Sequence, residues 1–224
     1  MRERKGTRAN SGEAGFSLIE LMVALGVTLV IMVIASRMLS MSMAVRTREN
    51  QRSEAVADVQ RALQSMTREI TNAGLGMENN GLVAADSGAL AIRVRTNLNA
   101  FCKVVTAGVA PDCDSDTADA GEDIVYALIN NVDAAGELQS LVTRQDVNSS
   151  NAISPLANRV DALEFEYYKA DGTLTTNASL AQTVKVTVTV TLPAVGTSGQ
   201  AGYQPATQME VESRATLRNL LLSQ

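Results

Sequence analysis

The chain has no histidine and no tryptophan, and only two cysteines in 224 residues. Without an imidazole there is no Ser-His-Asp or Cys-His catalytic set and no histidine ligand for a metal. Two cysteines cannot build a zinc cage or a disulfide-dense scaffold. Aromatic residues make up 3% of the chain, too few for a broad base-stacking surface. The formal charge of −5 argues against binding a phosphate backbone, so a nucleic-acid partner is not expected. No paired carboxylates stand out as an acid/base set. The reading is therefore of a non-enzyme without a cofactor. What the chain does have is apolar residues, 46% of the total, placed very unevenly. The length fits one domain of ordinary size plus an additional segment, and that segment is N-terminal.

Residues 1–15 read MRERKGTRANSGEAG, with Arg2, Arg4, Lys5 and Arg8 set against Glu3 and Glu13. Then FSLIELMVALGVTLVIMVIAS runs from Phe16 to Ser36 with one ionisable residue, Glu20, and Arg37 ends it. At about 1.5 Å per residue, some 20 residues span a bilayer core of about 30 Å. Three readings compete. A cleaved secretory signal would have a shorter apolar core and small residues at the cut. A plain anchor would keep its basic leader in the cytoplasm. A processed anchor would be cut at the Gly15–Phe16 boundary, and the abrupt switch from polar to apolar residues there favours it.

Glu20 separates these readings further, because a carboxylate in a membrane helix costs at least ~2.5–3.5 kcal/mol on insertion scales. It lies four residues after Phe16, too near the end for the bilayer centre, and it either reaches the headgroups or pairs with a cation. Cleavage after Gly15 would free the α-amine of Phe16. A neighbouring helix displaced along the axis would present that amine to Glu20, offsetting desolvation and fixing the stagger between subunits.

The run from Gly15 through Phe16 and Glu20 to Leu25 resembles the class III signal of type IV pilins and type II secretion pseudopilins. The resemblance implies cleavage by a prepilin peptidase between Gly15 and Phe16, N-methylation of Phe16, and a role for Glu20 in subunit docking. It also implies a single-pass inner-membrane protein with leader cytoplasmic and head periplasmic, passing later to a pilus at the cell surface. Its partners would be other pilins or pseudopilins and the peptidase.

Beyond Arg37 the chain is free of Pro and Gly until Gly74, so a single helix from Phe16 to Ala73 is expected, with Gly26 as a point of local loosening. Val56, Val59, Leu63, Met66 and Ile70 form one apolar stripe. Two heptads are too few for a coiled coil, so the stripe is read as packing on a sheet of the same chain, with Gly74 and Gly76 stopping the helix. Arg61 to Met77 resembles the corresponding helix end of PilW-type minor pilins, and less closely that of pseudopilin J of type II secretion.

From Leu82 the period changes to two. Leu90–Val94, Asp123–Ile129, Glu137–Gln145, Leu163–Tyr167, Val184–Leu192 and Met209–Leu217 read as strands, separated by turns at Asp171-Gly172, Pro193 and the 196–205 loop. An α+β protein follows: a long N-terminal helix packed on an antiparallel β-sheet head with one wet face, the pilin fold by resemblance. The expected organisation is a leader at 1–15, a membrane or filament-core helix at 16–36, an amphipathic helix at 37–73 and a β-rich head at 74–224.

In an exported head, Cys102 and Cys113 favour a disulfide over two free thiols. A loop this short would gain about 2–3 kcal/mol in the chain-entropy model. Asp112, Asp114, Asp116, Asp119, Glu122 and Asp123 crowd one loop, where a solvated acidic loop is preferred over a Ca²⁺ site: Thr117 occupies the place of the required Gly. The Gly74–Gly81 stretch departs from phosphate-loop spacing and follows a helix, the wrong context. The leading functional reading is a PilW-like minor pilin. A secretion pseudopilin stands second, and an adhesin or DNA-uptake pilin using Arg93, Arg95 and Lys103 third.

Overall fold

The computed structural model describes residues 15–100, 116–132, 136 and 138–218. Helix α1, Leu18–Thr71, is one unbroken element of 54 residues, about 81 Å long at 1.5 Å per residue. Gly26 does not interrupt it. Eight strands follow: β1 (Ala91–Arg95), β2 (Asp123–Val132), β3 (Leu138–Asp146), β4 (Ala152–Asn158), β5 (Ala162–Tyr168), β6 (Leu174–Thr175), β7 (Thr183–Leu192) and β8 (Thr207–Thr216). The architecture is α+β, a long N-terminal helix on antiparallel sheets, consistent with the pilin fold.

The strands make two four-stranded sheets, β1-β2-β3-β4 and β6-β5-β7-β8, in place of the single sheet expected. The first is a meander. At its end Arg159 takes a left-handed backbone conformation (φ 58°), and Asp161 N–H donates to Thr189 O at 2.8 Å. The chain thereby leaves β4 and enters β5 against β7. Phe165 N–H donates to Ala89 O and the Tyr167 hydroxyl to Gly88 O, at 2.8 and 3.0 Å, which ties β5 to the segment leading into β1. β4 also went unpredicted. It reads AISPLAN, and Pro155 cannot donate to a ladder, which confines such a strand to a sheet edge.

The helix packs on β4, β7 and β8, and so crosses both sheets. Val59, Ala62, Leu63, Met66 and Ile70 are its buried stripe, while Val56 stays partly exposed. β7 supplies the densest opposing surface. Val184, Val186, Val188, Val190 and Leu192 are all buried, and the threonines and Lys185 between them face outward. This alternation puts β-branched side chains on both faces of a central strand, where they pack well.

Polar contacts fix the helix end. Tyr126 is fully buried and donates its hydroxyl to Glu69 Oε2 at 2.5 Å, and Arg144 Nε donates to Glu69 Oε1 at 3.0 Å. Burial, with the Glu69 charge beside it, holds the Tyr126 hydroxyl far above its ordinary range. After the helix, Gly74 N–H donates to Arg95 O and Arg95 N–H to Gly81 O. Gly81 sits at φ +71°, where a Cβ would lie 2.1 Å from Gly74 N and 2.4 Å from Arg95 O, so only glycine fits.

Two predictions follow from this packing. Met66→Ala, at a fully buried position, is expected to cost about 2–5 kcal/mol in denaturant unfolding of the detergent-solubilised chain; a cost under about 1 kcal/mol would mean that the stripe is not core. The second concerns Asp123, whose carboxylate receives Arg93 at 2.7 and 2.8 Å and Arg95 at 2.9 Å. Burial raises the Asp123 pKa, but the two guanidiniums outweigh it and hold the carboxyl below its ordinary value. Its stabilisation is therefore full above the unfolded value of about 3.9 and is lost as pH falls through the lower folded value. Asp123→Asn should cost about 2 kcal/mol at pH 7, with the gap from the parent closing below pH 4. A pH-independent gap would refute the charge account.

Candidate functional site

The N-terminal half of α1 is where the sequence motif and the geometry meet. Gly15, Phe16 and Ser17 precede the helix in non-helical backbone, and Ser17 is its N-cap. The Ser17 carbonyl accepts from Glu20 N–H at 3.0 Å and from Leu21 N–H at 3.2 Å. Glu20 lies in the first turn, where the positive end of the helix dipole favours a carboxylate. Gly15, Phe16 and Glu20 are all exposed, and they fall within about one helical turn of one another in sequence.

From Leu18 to Leu39 the apolar side chains are exposed, with none of the described residues covering them. Leu18 is 78% exposed and Ile34, a third of the way down the helix, still 51%. The segment is long and apolar enough to cross a membrane. Between Leu18 and Ala35 the one hydroxyl, Thr28, donates to Ala24 O at 2.7 Å, which satisfies it without water. In chemical terms the site is a bare apolar surface. It offers a continuous apolar cylinder, one carboxylate at its tip, and a chain terminus next to that carboxylate if the Gly15–Phe16 bond is cut.

The head first grips the helix five residues past Ser36. The hairpin between β7 and β8, closed by a bridge from Val195 to Gln204, lies along it. Gly202 abuts Met41 and Ala44: a Cβ there would come within 3.0 Å of Met41 Cα. Arg48 is 9% exposed and donates to the carbonyls of Pro193 and Pro205, the latter at 2.9 Å. Arg48 was not singled out in the sequence. A lone arginine on a helix normally reads as solvated, and the two prolyl carbonyls that bury it are some 150 residues away, so no local signal marked it.

Of the other predicted residues, Cys102, Cys113, Asp112 and Asp114 lie outside the described residues, as does Lys103. Asp116 is described, and its Oδ1 accepts from Ala118 N–H at 2.9 Å. The rest of the acidic loop is not a solvated surface throughout. Glu122 is 1% exposed and accepts from the N–H groups of Leu98 and Asp119. Asp146 accepts from Gly121, Asn148 and Ser149. These carboxylates replace missing backbone partners in a tight turn. Among the described residues no three acidic or cysteine side chains converge closely enough to hold a metal ion. Arg93 and Arg95, candidates for a DNA patch, are committed to Asp123, and Arg93 also to Asp86 at 2.6 Å.

Residues 10–36 match the family model of the prokaryotic N-terminal methylation motif. No curated protein and no solved structure matches the chain. The motif covers the proposed cleavage bond, Glu20 and the exposed apolar segment as far as Ser36. It indicates a prepilin-peptidase substrate like those of the type IV pilins and pseudopilins, and the apolar helix that carries it fits a membrane-anchored protein.

Proposed function

We propose that the protein is a structural minor pilin, most like the PilW type, which is processed by prepilin peptidase and then joins, primes or caps a type IV pilus. The observation that carries this reading is the coincidence of the methylation motif at 10–36 with an apolar helix half that none of the described residues covers. A protein that leaves such a surface bare needs lipid or other helices around it.

In this reading the leader stays in the cytoplasm and the head stands in the periplasm. Hydrolysis of the Gly15–Phe16 bond removes the leader and frees the Phe16 amine, which then receives a methyl group. The helix next leaves the bilayer for the core of a filament, where apolar contacts with lipid are exchanged for apolar contacts with other helices. That exchange is nearly neutral in hydrophobic terms, because lipid tails and leucine side chains are equally apolar. Direction and register must come from a polar contact, and Glu20 is the ionisable residue available between Phe16 and Ser36. Its carboxylate pairs with the Phe16 amine of a neighbouring subunit, which fixes the axial stagger. Left unpaired, it opposes burial by several kcal/mol.

Two outcomes test this. The mass of the mature protein purified from cells is expected to begin at N-methylated Phe16. A protein that retains Met1, or that is cut beyond Ser36, would remove the basis of the reading. Glu20→Ala is expected to leave the head folded and the chain processed but to reduce its recovery in sheared pili by about tenfold or more. Unchanged recovery would dismiss a docking role, and co-purification with secretion pseudopilins instead of pilins would move the protein to the second reading.

A further inference from the structure

A second surface, on the head, has the build of a peptide-binding groove. β8 is the outermost strand of its sheet, so one of its edges has no strand beside it among the described residues. Between that edge and α1 runs an open groove of about 690 Å³. Val211, Glu212 and Ser213 line it consecutively, which means that it follows the backbone edge of the strand and not one face. Facing them is a helix stripe of hydrogen-bonding side chains: Gln60, Gln64, Thr67, Arg68 and Thr71. Thr67 and Ser213 meet hydroxyl to hydroxyl at 3.0 Å on the floor, and Arg218 N–H donates to Thr71 O at 3.2 Å where the chain crosses to the helix end.

The lining selects its occupant. Leu63 is already 96% covered, so the groove has little apolar surface to offer, and a greasy segment gains little there. A strand edge plus a row of amide and hydroxyl side chains instead suits a peptide backbone. From Gln60 to Asn72 the helix rises about 18 Å, the length of five or six extended residues. The charge is also specific. Arg68 and Arg218 project into the groove, and among the described residues neither forms an ion pair. The one carboxylate lining it, Glu212, faces Lys185 at 3.4 Å. In a chain of net charge −5, this is a locally cationic slot.

We infer that the groove between β8 and α1 binds an extended acidic segment of a partner protein by strand addition, with the β8 edge pairing its backbone and Arg68 and Arg218 receiving its carboxylates. This goes beyond the filament reading and does not depend on it, since the groove lies on the head and the methylation motif on the other end of the helix.

The probe is a fluorescent hexapeptide, Thr-Val-Glu-Val-Glu-Thr, with a second in which both glutamates are lysine, titrated against the full chain in detergent micelles. The acidic peptide is expected to bind about tenfold more tightly than the basic one, the size of two exposed ion pairs. It should also slow amide exchange at Val211–Ser213. The double variant Arg68→Glu/Arg218→Glu should reverse the preference, an outcome that mere misfolding does not produce. Equal binding of both peptides, no binding, or protection elsewhere on the head would overturn the inference. So would slow exchange at Val211–Ser213 without peptide that turns fast when residues 219–224 are removed, which would assign the groove to the chain's own C-terminal segment.

Discussion

An apolar rod left bare by its own chain is the constraint on which everything else in this protein depends. Between Phe16 and Ser36 the helix makes no covering contact with the described residues of the head, and its leucines, isoleucines and valines are half to four-fifths exposed. Each such side chain held in water forgoes about 1.5–3 kcal/mol relative to burial, and eleven are involved. The described part of the head does not relieve this, because it first meets the helix at Met41. The surface must therefore be covered from outside, by acyl chains or by helices of the same kind, and the methylation motif that coincides with it is that of a prepilin-peptidase substrate.

The second requirement is a stiff connection between that rod and the head. A helix of 54 residues without a break transmits orientation from one to the other, and three separate fixings hold the head to it. At the near end Arg48 is clamped by two prolyl carbonyls of the β7–β8 hairpin. Along the middle, Val59, Leu63 and Met66 bury into the sheets. At the far end Glu69 takes hydrogen bonds from Tyr126 and Arg144, and the glycine turn is stitched to β1. The fixings differ in chemistry, so no single shift in pH or salt loosens them all.

Much of this was legible in the residues and some was not, for identifiable reasons. The helix stripe and the Val/Thr alternation of β7 are periodic patterns set by burial on one face, and they read directly. β4 was hidden by Pro155, which signals a break unless the strand lies at an edge. The division into two sheets depends on pairing between distant segments, β5 with β7, and on a left-handed Arg159, neither of which leaves a local mark. Glu122 and Asp123 were read as part of a solvated loop because carboxylates in a run usually are. Their burial follows from backbone N–H groups and arginines brought to them from β1 and the 97–99 turn. At the N-terminus the positions of Gly15, Phe16 and Glu20 were plain, since a chemical motif there is also a spacing.

The most direct measurement of the central claim is photolabelling of the full chain in native membranes with a phospholipid carrying a diazirine in its acyl chain, mapped by mass spectrometry. Lipid-covered helix predicts adducts between Leu18 and Ser36 and none between Val59 and Ile70, where the head covers the same helix. Adducts absent from 18–36, or spread equally over both stretches, would contradict it.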